Sequence, residues 1–103
     1  MSATFATVAD VARELVYPVV DELQEELLVD IPKDPSTPLL GSGTVLDSLD
    51  VVTLIVAVEE RIEASTGRPL RLVNERAMSR RSSPFRTLGT LSDYVHELLA
   101  REG

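Results

Sequence analysis

Apolar residues recur at three- and four-residue intervals along much of this chain, and this spacing constrains the fold more than any other feature. The first stripe consists of Val8, Val11, Ala12, Leu15, Val16, Val19, Leu23, Leu27 and Leu28. A period of 3.6 residues places such side chains on one face of a helix. Pro18 interrupts the stripe because it has no N–H for the carbonyl of Glu14, so a kink or a new helical start is expected near Tyr17.

A second helix is predicted from about Ser48 to Ser65, ending at Gly67 with Pro69 just beyond. Its core-forming stripe consists of Val51, Leu54, Ile55, Val58 and Ile62. A further set of apolar residues is rotated away from this stripe: Leu49, Val52 and Val56. Either a small bundle buries both sets, or the second set is an exposed docking surface.

The carboxyl-terminal region predicts a short closing helix that ends near Arg101. Its apolar residues are Leu91, Tyr94, Val95, Leu98 and Leu99. The run Thr90-Leu91-Ser92-Asp93 is a variant of the capping box, with Asp in place of Glu or Gln. His96 lies off the stripe, and the chain has no second histidine, so an inert surface residue is expected.

The segment from Asp30 to Thr44 is rich in proline and glycine, which disfavours both helix and paired strand. A long ordered loop of this kind is uncommon in a compact domain unless it is functional. Together these segments predict an all-α fold, a bundle of three main helices with a long loop between helices I and II. A short additional helix is predicted over Val73–Arg80.

Composition limits the classes of protein to which this chain can belong. With 103 residues, a net charge of −7 and 44% apolar residues, the chain has enough length for a single core. It has no cysteine, so disulfides and thiolate metal sites are excluded. A signal peptide and a membrane-spanning run are not evident, which predicts a cytoplasmic protein. Its acidic balance and few aromatic residues argue against nucleic-acid binding.

The junction between the loop and the second helix carries the run Asp47-Ser48-Leu49. Asp and Ser are common helix N-caps, so capping alone is one interpretation of this run. The stretch from Val45 to Glu60, however, resembles the prosthetic-group segment of acyl carrier proteins. In that family the serine of Asp-Ser-Leu carries 4'-phosphopantetheine, and the long loop between the first two helices ends at this serine.

The resemblance implies that Ser48 is the attachment point, flanked by Asp47 and Leu49, and that the chain is a non-catalytic carrier. A separate phosphopantetheinyl transferase would transfer the arm from coenzyme A, using magnesium. Acyl-loading and acyl-processing enzymes would then bind at Asp50, Val52, Val56, Glu59 and Glu60, and the carrier is expected to be monomeric. The resemblance covers roughly residues 18–101 of a single domain, 1–103, with residues 1–17 as a helical extension.

Several residues depart from the pattern of fatty-acid carriers. Thr53 occupies the position five residues after the serine, where these carriers usually have an acidic residue. Arg61 stands where a third acid would follow Glu59-Glu60, and Val56 replaces a methionine. A specialised carrier of aminoacyl, peptidyl or polyketide intermediates is therefore an alternative to one for fatty-acid synthesis. An unmodified helical adaptor that binds through the exposed apolar residues is another. A hydrolase that uses Ser48 as nucleophile needs a base and an orienting group, and the chain offers one distant histidine.

The two parts of the chain differ in charge. Residues 1–63 hold 13 acids and 3 bases, whereas residues 64–103 hold 4 acids and 7 bases. The bases between the predicted second and last helices are Arg68, Arg71, Arg76, Arg80, Arg81 and Arg86. We expect a solvated loop here, with a linker over Arg81–Gly89 that is longer than usual. An alternative hypothesis is that the arginines around Phe85 tune the choice of partner.

Overall fold

The fold is all-α, as predicted. The structure, a computed structural model, describes residues 5–41, 43–74 and 83–102. Its elements are α1 (Val8–Val11), a π-helical turn (Ala12–Val16), α2 (Tyr17–Leu27), α3 (Ser48–Thr66) and α4 (Leu88–Glu102). The three main helices and the long loop between the first two are thereby confirmed. Most of the predicted short helix over Val73–Arg80 lies outside the described residues, and Val73 and Asn74 form a bend.

The core forms around residues 8–27, which we call the first helical segment. Here α1, the π turn and α2 follow one another directly; α3 packs against α2 and the π turn, and α4 packs against α1 and the π turn. Val11, Leu15 and Val16 are fully buried, so residues within the predicted amino-terminal extension contribute to the core. The predicted core stripe of α3 is at most 6% exposed, and Leu91, Tyr94 and Val95 of α4 are equally buried.

The π turn ends at Val16 and α2 begins at Tyr17, where a new helical start was predicted. The N–H of Tyr17 donates to the carbonyl of Ala12, five residues back, instead of four. This wider turn suits a proline, whose ring would crowd the carbonyl of residue i−4 in a regular α-helix. That carbonyl belongs to Glu14, and it accepts a hydrogen bond from Nε of Arg61 on α3 at 2.8 Å. The Arg61 side chain on α3 therefore supplies the hydrogen-bond donor that Pro18 lacks.

The first helical segment ends one residue earlier than its apolar stripe. Leu28 has a left-handed backbone conformation, with φ 57° and ψ 39°, and its N–H donates to the carbonyl of Gln24. The prediction that Leu28 belongs to the helical apolar stripe is wrong, because Leu28 follows the helix and its side chain is 89% exposed. The reversal turns the chain so that Ile31 enters the core, and the side-chain oxygen of Gln24 accepts the Ile31 N–H at 2.8 Å.

The loop between α2 and α3 is ordered by its own turns and by contacts with the start of α4. Asp34 accepts hydrogen bonds from the hydroxyl and the N–H of Ser36, and these bonds lower the pKa of the Asp34 carboxyl. Leu39 is fully buried and its N–H donates to the carbonyl of Arg86. An isolated antiparallel bridge joins Pro38 to Thr87, so this loop does form a minimal backbone pairing.

The same loop moves the start of α4. The helix begins at Leu88, and its capping box joins Thr87 and Thr90, each hydroxyl accepting the other residue's N–H at 3.0–3.1 Å. The prediction of a capping box over Thr90–Asp93 is therefore wrong. The N–H groups of Leu88 and Gly89 donate to loop carbonyls, those of Thr37 and Pro35, at 3.0 and 2.9 Å. Because the loop carbonyls accept these first-turn N–H groups, the helix can begin at Leu88, before the predicted start near Thr90.

The segment before α4 is only partly a solvated loop. Pro84 and Phe85 are buried, and the Phe85 ring meets the Tyr94 ring edge to face, with centroids 5.9 Å apart. The expectation of a solvated loop is wrong for these two residues, whereas Arg86 is exposed. Arg80 and Arg81, which the partner-choice hypothesis also involves, lie outside the described residues, as does Arg76.

Candidate functional site

The predicted site lies at the amino terminus of α3, where the long loop ends. Asp47 is the N-cap, with extended backbone at φ −93° and ψ 179°. Its Oδ1 accepts the N–H of Asp50 at 2.8 Å, and Oδ2 of Asp50 accepts the N–H of Asp47 at 3.1 Å. This reciprocal capping box fixes the first turn and shows that Asp47 does have the capping role considered from sequence.

Ser48 occupies the first position of the 19-residue α3 and is exposed. Its hydroxyl makes no side-chain hydrogen bond within the described residues, so the capping is performed by its two acidic neighbours. The N–H groups of Ser48 and Leu49 belong to the first turn, where a helix provides no carbonyl acceptor. An anionic group on the Ser48 oxygen would therefore lie at the positive end of the helix dipole.

The second apolar set of α3 is exposed, and we call it the apolar ridge: Leu49, Val52 and Val56, which are 72%, 55% and 46% exposed. The alternative in which a bundle buries both faces of this helix is thereby excluded. The ridge begins one residue after Ser48 and continues along α3. Its proposed role in binding partners stays a prediction.

The predicted acidic docking residues have different surroundings. Glu60 is exposed, and Asp50 is half-buried in the capping box. Glu59 is half-buried, and its Oε2 accepts the N–H of Leu72 at 2.7 Å. Glu59 thus holds the segment after α3 against that helix, a structural contact that sequence reasoning missed.

A groove of about 390 Å³ lies between α2 and α3. Its lining combines apolar residues with three glutamates: Val19, Leu23, Leu54 and Ala57 with Thr53, Glu22, Glu25 and Glu26. The three glutamates are exposed, and we call this feature the acidic groove. The hydroxyl of Thr53 donates to the carbonyl of Leu49 at 3.0 Å. The sequence pattern placed these glutamates off the apolar stripe but gave no indication that they share a groove with α3.

The described residues do not place a histidine base or a metal-binding group beside Ser48. Nε2 of His96 lies 3.3 Å from the carbonyl oxygen of Ala6, on the amino-terminal segment rather than near α3. In the described part of the chain, His, Asp and Glu side chains do not form a group of three that could hold a metal ion. None of the helices within the described ranges has both the length and the hydropathy needed to span a membrane.

Comparisons with known proteins do not assign the chain to a family. No family model matches it, and no curated protein or solved structure shows significant similarity to it.

Proposed function

We propose that this protein is a carrier whose Ser48 holds a 4'-phosphopantetheine arm. The observation that carries the proposal is the position of Ser48, an exposed serine on the first turn of a capped helix, whose side chain makes no hydrogen bond within the described residues. The flanking residues Asp47 and Asp50 bond to each other's backbone, so the hydroxyl is left for an external enzyme. When bound, the arm supplies a thiol that this cysteine-free chain lacks, and acyl groups would travel on it as thioesters.

Attachment requires Ser48 Oγ to attack the phosphorus of coenzyme A that bears the pantetheine chain, with adenosine bisphosphate as the leaving group. A bond forms between Oγ and that phosphorus, the bond from the phosphorus to the adenosine bisphosphate portion breaks, and the transferase accepts the serine proton. The first-turn N–H groups of α3 favour the phosphate that results, whereas the nearby carboxylates of Asp47 and Asp50 oppose it. A cationic surface or metal ion in the transferase would offset this repulsion.

The apolar ridge supports partner docking by such a carrier, because exposed apolar residues beside charged ones mark interaction surfaces. Leu49, Val52 and Val56 extend from the serine along α3, so an enzyme that reaches Ser48 can contact them as well. Arg61 departs from the fatty-acid pattern, and its bond to the carbonyl of Glu14 gives this departure a structural reason. The departures that still separate this chain from a fatty-acid carrier are therefore Thr53, Val56 and the basic region.

The test is incubation with coenzyme A, magnesium and a broad-specificity phosphopantetheinyl transferase, followed by intact-protein mass spectrometry. We expect one phosphopantetheinyl increment, and we expect Ser48→Ala to abolish it. Alanine is well tolerated in a first helical turn, and Ser48 is exposed, so the variant should keep its helical circular dichroism. Ser65→Ala, an exposed serine near the other end of α3, is the matched control and should be modified normally.

The same apolar ridge favours a second candidate function, an unmodified helical adaptor. Absence of any increment on the folded wild-type protein would refute the carrier proposal and leave the adaptor. Equal modification of wild type and Ser48→Ala would refute the assignment of Ser48 as the attachment site.

A further inference from the structure

The turn toward Ile31 accounts for the backbone conformation of Leu28, but the fold does not account for a leucine side chain at this position. A left-handed backbone is disfavoured for side chains with a Cβ, and glycine or asparagine is usual at this position after a helix. Leu28 adopts it with φ 57° and leaves 89% of its apolar side chain in solvent. The helix-ending hydrogen bond to Gln24 uses only the backbone N–H of Leu28, so any residue other than proline could make it. A leucine at this position therefore has an unfavourable backbone conformation and an apolar side chain in solvent, and no burial of that side chain offsets either cost.

The packing of α2 against α3 places Leu28 at the same end of the bundle as Ser48. Glu14 meets Arg61 near the far end of α3, and the acidic groove brings Glu22 and Glu26 opposite residues 53–57. The two helices are therefore antiparallel, and the residues after Glu26 are level with the first turn of α3. Leu28 thus follows the end of α2 at the level where Ser48 begins α3.

The described surface of α2 and α3 is acidic, and the two bases in this part of the chain have partners. Between residues 14 and 67 the chain has two bases, Lys33 and Arg61. Lys33 pairs with Asp21, and Arg61 donates to the Glu14 carbonyl. The exposed acids near Leu28 and Ser48 are Glu22, Glu25, Glu26, Asp30 and Asp47. A complementary protein surface would have an apolar contact in its centre and cations around it.

We infer that Leu28 is a docking residue for the transferase that modifies Ser48, and that the docking surface extends from the apolar ridge across the acidic groove to the end of α2. This inference rests on the proposed carrier function. An enzyme that forms a bond to Ser48 must cover the first turn of α3, and Leu28 lies at that level. The partner it fits presents an apolar pocket for Leu28 and basic side chains for Glu25 and Glu26. The aliphatic stems of such basic side chains suit the apolar floor of the groove, and their charged heads suit its rim.

The test compares the loading of Ser48 in Leu28→Asn and wild type, with coenzyme A and a broad-specificity phosphopantetheinyl transferase. Asparagine tolerates the left-handed backbone, so the melting temperature should be unchanged or higher. We expect kcat/KM for loading to fall by about tenfold, mainly through KM, as for the loss of an apolar anchor. Val73→Asn is the matched control, because Val73 is 52% exposed but follows α3, on the segment held by Glu59. It should load like wild type.

A second variant tests the charged part of the surface. Glu25→Gln combined with Glu26→Gln should weaken the dependence of kcat/KM on salt, because two charges that attract the partner are removed. If Leu28→Asn loads at the wild-type rate, the inference fails while the carrier function stands. If wild type itself is not loaded, the proposed function fails and this inference fails with it.

Discussion

Gly89 lies where the first turn of α4 meets the loop after α2. A Cβ built on Gly89 would lie 2.8 Å from the carbonyl oxygen of Pro35 and 3.0 Å from its Cβ. The close approach is the same one that lets the N–H of Gly89 donate to the Pro35 carbonyl. Because Gly89 has no Cβ, the Pro35 carbonyl can approach closely enough to accept a first-turn N–H of α4.

We predict that Gly89→Ala destabilises the protein. Alanine is favoured over glycine by about 1 kcal/mol in a helix, but displacing the packed Pro35 backbone should cost more, for a net loss of about 1–3 kcal/mol. Urea denaturation followed by circular dichroism measures the difference. Asp93→Ala, an exposed substitution on the same helix, should stay within about 0.5 kcal/mol. A more stable Gly89→Ala protein would show that the contact with Pro35 relaxes freely.

At the scale of elements, the π turn and α3 are coupled through one hydrogen bond. Pro18 removes the donor that would serve the Glu14 carbonyl in a regular helix, and Arg61 provides one from the neighbouring element. The proline thus links the geometry of the first helical segment to its packing against α3. Such coupling is measurable because each partner can be changed separately.

We predict that the destabilising effects of Pro18→Ala and Arg61→Met are less than additive in a double-mutant cycle. Arg61→Met keeps most of the aliphatic stem and removes the donor, so it should cost about 1 kcal/mol in the wild-type background. In the Pro18→Ala background the helix regains an N–H for the Glu14 carbonyl, so the cost should fall by about 0.5–1 kcal/mol. Urea denaturation of the four proteins gives the cycle. Equal costs in both backgrounds would mean that Arg61 acts independently of Pro18.

At the scale of the whole molecule, Leu72 joins two helices that each pack on the first helical segment. Its N–H donates to Glu59 on α3, and its carbonyl accepts the hydroxyl of Tyr94 on α4 at 2.9 Å. The same Tyr94 hydroxyl accepts a hydrogen bond from Nδ2 of Asn74 at 3.3 Å. Leu72 is fully buried and Tyr94 is 2% exposed, so the bond between them is buried, whereas the bonds to Glu59 and from Asn74 are only partly buried.

We predict that Tyr94→Phe lowers the free energy of unfolding by about 1–3 kcal/mol, because it leaves a buried carbonyl without this donor. Tyr17→Phe is the matched control. The Tyr17 ring is half-buried, but its hydroxyl makes no hydrogen bond within the described ranges. That variant should change stability by less than about 0.5 kcal/mol. Thermal and urea melts of both variants decide the matter, and equal effects would argue against a specific role for the Tyr94 hydroxyl.

The sequence by itself determined the features that depend on neighbours within a few positions. The helical period predicted the buried stripe of α3. Local capping residues predicted that this helix begins at Ser48 and ends at Gly67. Pro18 predicted the new helical start at Tyr17 for the same reason, since the lost donor and the crowded carbonyl are four residues apart. The position of Ser48 on the first turn of α3 was likewise predictable.

The tertiary structure decided where groups distant in sequence meet. The start of α4 depends on the carbonyls of Pro35 and Thr37, and the Glu14 carbonyl depends on Arg61, which is 47 residues away. The exposure of Leu28 depends on how the chain turns toward Ile31, which its apolar character could not reveal. A polar group takes whichever partner the folded chain brings within hydrogen-bonding distance, and sequence spacing does not specify that partner.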